Sequence, residues 1–521
     1  MATLDIAVLI LYFFGISLAG VYFSKRNTTT EAYFLGNRNF PAWAIGLSLI
    51  GTSISSISFL AYPGDGFKTA WLRLVPGLVL PIAIIIASIY VLPFFRSRNY
   101  ATAFEYLELR FGAGARIYGA LAFCVAQLMR VGFILFLVSL LIQQFTGWNI
   151  YVCIVVSGVF VSFYTIMGGF EAVVWTDVVQ TIVLLFGGAI CLYIVVDQLS
   201  DAGGLSLIFK EAGEAGKFKL SEWDVEKGIA AKTSWGFTFS KKTALMMIIV
   251  GMINWMYEFS CNQNVVQRYC ASRTIEDARR SMWICCIGSI PIWVFFMFLG
   301  SALWVYYNHF PATEAAQMLS GELKADQILP FFILTQLPAG IAGLVIAAVM
   351  AAAMSSLDSS INAISTVLVT DIVKRHTHKD REDAFYLKMA HKIAIVTSIV
   401  MIIGAGVFYN MGGKSAQDTY SMLVALTAGG LLSIYMIGFF TKTGDGRSIL
   451  IAIAFTFIFS LYRVLEPLAV IPDLPIDSYY TGIVGNIIMF GIGMLLGKLL
   501  PAKQNDLTGL TVWTKGTEEV K

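Results

Sequence analysis

Ala352, Ser355, Ser356 and Ser359 recur at i, i+3, i+4 and i+7, so they share one face of a helix. The surrounding stretch, residues 338–373, is otherwise apolar enough for a bilayer, and Asp358 adds a carboxylate among the hydroxyls. Hydrocarbon offers no water, so each of these groups must find a partner in the protein or bind something. Serine faces also serve as close helix-packing surfaces. The carboxylate beside the hydroxyls favours a site for a small hard cation, which prefers such oxygens.

Other polar groups occur at membrane depth. Gly51-Thr-Ser-Ile-Ser-Ser-Ile-Ser58 interrupts the second apolar segment near its middle. Such an interruption predicts a discontinuous helix, whose unwound carbonyls can coordinate a cation and whose half-helix ends can face a solute. Asp177 stands near the start of a span entering from the inner side, at a depth similar to Ser355–Ser359. There it either caps its own helix or meets Asp358 and Ser359; two carboxylates that close need a cation or proton between them. Arg130 falls near the midplane, where an arginine is costly and its planar fork suits a carboxylate. Its two candidate partners are an anionic solute and Glu258. Trp255, Tyr257 and Phe259 flank Glu258 as a candidate gate, with ordinary packing as the other reading. Arg73 reads as an interfacial side chain whose charge snorkels to water.

The elements that hold these residues are membrane helices. The 521-residue chain is 57% hydrophobic and 13% charged, which predicts an all-α polytopic membrane protein. Apolar segments of spanning length recur at 4–23, 42–62, 73–95, 116–146, 149–168, 175–198, 242–261, 281–308, 338–373, 389–411, 418–440, 447–467 and 479–500, about thirteen helices. Lys and Arg concentrate in alternate loops, which predicts an outer N-terminus and a cytoplasmic C-terminus. The first segment is no signal peptide, since Lys25 and Arg26 follow it. Residues 326–337 predict a short outer helix over the site, and residues 501–521 a short cytoplasmic tail. The net charge of +3 gives no nucleic-acid signature. Seven scattered cysteines and four histidines predict buried thiols, with no disulfide framework and no metal site of their own.

As a set these pieces resemble the sodium:solute symporter family. The matching stretches are Tyr33–Arg38 leading to Trp43 and Gly46, the break at 51–58, Trp175–Gln180, Asn264–Tyr269, and Gly343 through Asp371, within about residues 5–440. The motifs are nearest to bacterial sialic-acid-type members. The resemblance implies a LeuT-like core of two inverted five-helix repeats, here 42–198 and 242–440, with peripheral helices 4–23, 447–467 and 479–500. It implies alternating access driven by sodium in a bacterial inner membrane, by a protein working as a monomer. It also implies a sodium site from the carbonyls of Gly51, Ile54 and Ala352 and the hydroxyls of Ser355 and Ser356. A second cation site would use Asp177, Ser356, Asp358 and Ser359, although members with that site commonly carry Ser or Thr where Asp358 stands. Ser53, Ser55, Ser58 and Arg130 match substrate-facing positions. Glu258 stands where sugar-type members have Tyr, which weakens a simple hexose reading. The expected function is sodium-coupled import of an acidic sugar or other carboxylate. The alternatives are a neutral sugar or polyol symporter, a solute sensor, and an ion channel; no nucleophile–base or metal constellation supports an enzyme.

Overall fold

The computed structural model describes residues 2–54, 56–98, 100–224, 229–240, 243–410, 429–466, 471–477, 480–500 and 506–514. Its principal elements are α1 (Thr3–Ser24), α2 (Ala42–Ser53), α3 (Ser56–Lys68), α4 (Trp71–Arg96), α5 (Ala113–Thr146), α6 (Ile150–Gln198), α7 (Ala244–Ser260), α8 (Gln263–Cys270), α9 (Ile275–His309), α10 (Ile341–Val367), α11 (Asp383–Asn410), α12 (Leu431–Phe440), α13 (Gly446–Leu465) and α14 (Thr481–Leu499). One two-stranded hairpin, Trp223–Asp224 with Ile229–Ala230, lies in the segment between α6 and α7.

Over its described residues, every apolar segment of the sequence falls on these helices. Two of the segments share α6, whose 49 residues would run roughly 74 Å if unbroken, more than twice a bilayer core. Gly169 divides it, with φ 59° and ψ −159°, a conformation closed to side-chain-bearing residues. Only the C-terminal part of segment 418–440 is described, as α12.

α10 is the central post. Its residues from Val345 to Val367 are all buried, as expected for a helix apolar on every side. α6 packs along it, and α1 crosses its N-terminal end so closely that a Cβ on Gly343 would stand 2.5 Å from the Asp5 backbone. Asp5 fixes that crossing. Its Oδ1 accepts hydrogen bonds from the backbone N–H groups of Gly340 (2.7 Å) and Gly343 (2.9 Å), so a carboxylate of α1 caps the free amides at the start of α10.

Among the described residues two spans are broken. The axes of Ala42–Ser53 and Ser58–Lys68 differ by 57°, and those of α7 and α8 differ by 50° at Cys261–Asn262. The first break is the one expected from the serine run; the second is new. Asn262 makes it locally stable, because its Oδ1 accepts the N–H of Asn264 (3.0 Å) and caps α8. The short helix expected at 326–337 is present as Ile328–Gln336 and packs on α3.

Arginines that the charge pattern assigns to loops are built into the protein at the ends of helices. Arg116 pairs with Asp371 and Glu108, each at 2.6 Å. Arg110, buried, donates to the carbonyls of Thr441, Thr443 and Gly444 beyond α12. Arg73 does not merely snorkel: its Nη1 pairs with Asp65 at 2.6 Å. All seven cysteines are buried thiols.

Lys217, in the segment between α6 and α7, is fully buried. Its Nζ donates to the carbonyls of Phe67 (2.6 Å) and Thr69 (3.3 Å) at the end of α3 and lies 4.0 Å from the Trp223 ring centroid. Burial pushes its pKa down to about 7. An unfolded lysine titrates near ~10.4, so between the two values the unfolded chain holds one more proton than the folded one, and stability rises with pH. Thermal unfolding of purified protein is therefore expected to shift upward from pH 7 to 10. Lys217→Met should flatten that rise; an unchanged profile in the variant would assign the pH dependence to other groups.

Candidate functional site

The break after α2 is brought against the serine face of α10. Ser355 Oγ donates to the carbonyls of Gly51 (3.0 Å) and Ala352 (3.1 Å), so three of the five oxygens proposed for sodium stand together. Ser356 Oγ is buried without a hydrogen-bond partner among the described residues. An orphaned hydroxyl in a dry site is costly unless something else binds it. Ile54 ends α2 with ψ 90°, which turns its carbonyl off the helical ladder. Gly51 allows a close approach to α6: a Cβ there would lie 2.7 Å from Thr181 Oγ1. This set of carbonyls and hydroxyls suits a small monovalent cation.

Three residues of the second candidate set, Asp177, Asp358 and Ser359, are linked through a residue that the sequence places in a loop. Arg268 on α8 is 1% exposed. Its Nη2 donates to Asp177 Oδ2 (2.8 Å) and to Ser359 Oγ, its Nε to Ser48 Oγ (2.8 Å), and its Nη1 to the Asn264 carbonyl (2.7 Å). Ser48 in turn donates to Asp177. Asp177 is thus an ion-pair partner deep in α6 and not the cap of its own helix. Asp358 points its Oδ2 at Tyr164, whose hydroxyl donates at 2.9 Å, and Ser359 donates to its Oδ1. Asp177, Asp358 and Ser359 do meet, and the guanidinium supplies the positive charge their proximity demands. Asp177 Oδ1 keeps no partner among the described residues.

Arg130 sits half-buried midway along α5, with no ion pair among the described residues. Glu258, also half-buried, lies in the last turn of α7 and is attracted by Arg130, but its Oε2 takes its hydrogen bond from Asn262 Nδ2 at 2.7 Å. Ionisable groups at the middle of spans generally face the bundle interior or a water-filled space and mark functional positions. Trp255 is a strut: its Nε1 donates to the Pro76 carbonyl (2.9 Å) and its ring stacks on Trp293. Phe259 is buried in the core and Tyr257 half-buried. Ser53 is half-buried beside Cys285, Ser58 is half-buried on α3, and Ser55 lies outside the described residues.

Residues 33–442 match the Sodium:solute symporter family, which is more than half of the chain. The chain belongs to that family. The symporter is 33% identical to the sodium/sialic acid symporter SiaT of Proteus mirabilis over 97% of both chains. It is 28% identical to the sodium/sialic acid symporter NanT of Aliivibrio fischeri, over 96% of this chain and 94% of that one. A solved structure of a sodium-coupled sialic acid symporter, substrate-bound and outward-open, superposes with a TM-score of 0.85 at 29% identity, covering 97% of the symporter and 99% of that chain. The fold is therefore the LeuT-like transporter fold expected from the sequence, and the symporter is a multi-span membrane transporter, not an enzyme, that couples a small-molecule solute to sodium.

Two features of the site escape the sequence. The break at Cys261–Asn262 has no glycine, proline or serine run, although an asparagine cap directly after an apolar segment is a usable signal. Arg268 looks cytoplasmic because it follows that segment; the break folds α8 back into the protein, where every one of its residues is buried.

Proposed function

We propose that this symporter imports an acidic sugar of the sialic acid class. The single observation that carries the reading is Arg130, a half-exposed guanidinium at mid-span with no carboxylate paired to it among the described residues. Two relatives named as sodium/sialic acid symporters, each aligned over nearly the whole chain, support it. Arg130 would hold the solute carboxylate by two parallel N–H···O bonds. Sodium would bind at Gly51, Ile54, Ala352, Ser355 and Ser356. Because Gly51 and Ile54 belong to the break, holding that ion fixes the break's geometry and with it the adjoining serines that face the solute. That is a positive coupling between two ligands, equal in both directions.

The two breaks begin the stretches 42–198 and 242–440, which fits an inverted pair of five-helix repeats with the site at their meeting point. The orientation proposed from the loop charges puts the N-terminus outside and the C-terminus inside a bacterial inner membrane, with the protein acting as a monomer. Sodium entry then gains roughly 2.3 kcal/mol per 100 mV, enough for about a 50-fold solute gradient before the ion gradient is counted.

Counterflow in liposomes tests the reading. Vesicles preloaded with N-acetylneuraminic acid should take up labelled N-acetylneuraminic acid in the presence of sodium, and hexoses or inositol should not compete. Competition by the neutral sugars alone would reject the acidic substrate.

A further inference from the structure

Glu258 is not needed to neutralise Arg130. The two charges attract each other without forming an ion pair among the described residues, and both side chains are half-buried. Glu258 is held in place from one side only. Asn262, which also caps α8, donates to Oε2, while Oε1 accepts no hydrogen bond from a described residue. The carboxylate stands one turn before the break between α7 and α8, where broken helices build solute sites near the midplane. A solute site that offers both a guanidinium and a carboxylate has two poles. The first accepts an anion. The second repels that anion unless the same solute carries donors, hydroxyl or ammonium, that reach the carboxylate.

We propose that Glu258 is a specificity-determining residue that accepts hydrogen bonds from the hydroxyl groups of the solute, so that the site selects polyhydroxylated acids and rejects unsubstituted monocarboxylates. The proposal rests on Arg130 binding the solute carboxylate. Asn262 is a positioning residue that fixes Oε2 and leaves Oε1 for the solute.

The test is competition against labelled N-acetylneuraminic acid in liposomes, with gluconate and propionate as competitors, for the wild type, E258Q and E258D. Wild type should be inhibited by gluconate far more than by propionate. E258Q keeps the shape and loses the charge. Its gluconate-to-propionate selectivity should fall ten-fold or more, the size of one lost charge-assisted hydrogen bond. E258D should restore part of that ratio. Because E258Q could lose activity by misfolding, N-acetylneuraminic acid binding is also read as a thermal shift of the detergent-purified protein, and the same competitors are ranked by that shift. An unchanged selectivity ratio in E258Q, in transport or in thermal shift, overturns the proposal. If wild type carries only neutral sugars, the acidic-solute reading itself fails, and the two failures are distinct.

Discussion

Arg130→Ala is expected to abolish uptake of an acidic solute. The guanidinium is half-buried midway along α5 and unpaired among the described residues, so a solute carboxylate that reaches it exchanges water for two charge-assisted hydrogen bonds. Truncating one side of such a pair costs about 2–5 kcal/mol, which is roughly 30- to 4,000-fold in affinity. Arg130→Lys keeps the charge but not the fork, so it should retain a measurable fraction. The measurement is initial uptake of labelled N-acetylneuraminic acid into proteoliposomes over a range of concentrations. A loss confined to apparent affinity, with solute-independent thermal stability unchanged, identifies Arg130 as a solute ligand. Undiminished uptake would make it a structural residue.

The second large effect concerns Arg268 and Asp177. Both are buried at 1% exposure or less, and Arg268 also holds Ser48 and Ser359. Removing the arginine alone strands Asp177 in a dry site. Breaking such a pair from one side costs about 3–5 kcal/mol. Arg268→Met is therefore expected to unfold at markedly lower temperature than wild type. The double variant Arg268→Met with Asp177→Asn removes the stranded charge and should recover much of that loss. Equal destabilisation by the single and double variants would mean that the pair is not coupled. The double variant also carries a functional readout, because a second cation site that uses Asp177 would be lost with it, and the sodium dependence of uptake would become less steep.

How far the sequence could see follows from which physical signal each residue carries. The spans were legible because hydropathy over about 20 residues is a strong, additive signal. The break at 51–58 was legible because four serines inside an apolar segment have no bland location there. The convergence of Ser355 with Gly51 was accessible through the family resemblance, and the 3.0 Å contact between them agrees with it. Arg268 was not legible, because its burial depends on a turn set by Asn262, and one asparagine carries little weight in a window average. Asp5, the carboxylate that ties α1 to α10, was invisible for a related reason: its partners are backbone amides more than 300 positions away, which no local pattern encodes. Long-range pairing of one polar residue with one helix end is a property of the fold and not of a segment.

The Ser356 hydroxyl, buried and without a partner among the described residues, gives the most direct access to the sodium site. Ser356→Ala removes one proposed oxygen ligand, adds no bulk, and leaves no polar atom stranded. The decisive measurement is accumulation of labelled N-acetylneuraminic acid in proteoliposomes as external sodium is varied against choline, wild type beside Ser356→Ala. Wild type should accumulate solute only with sodium, and the variant should need at least ten-fold more sodium for half-maximal uptake. Identical sodium curves for the two proteins, or accumulation that persists in choline, would contradict a sodium ion held between the break after α2 and the serine face of α10.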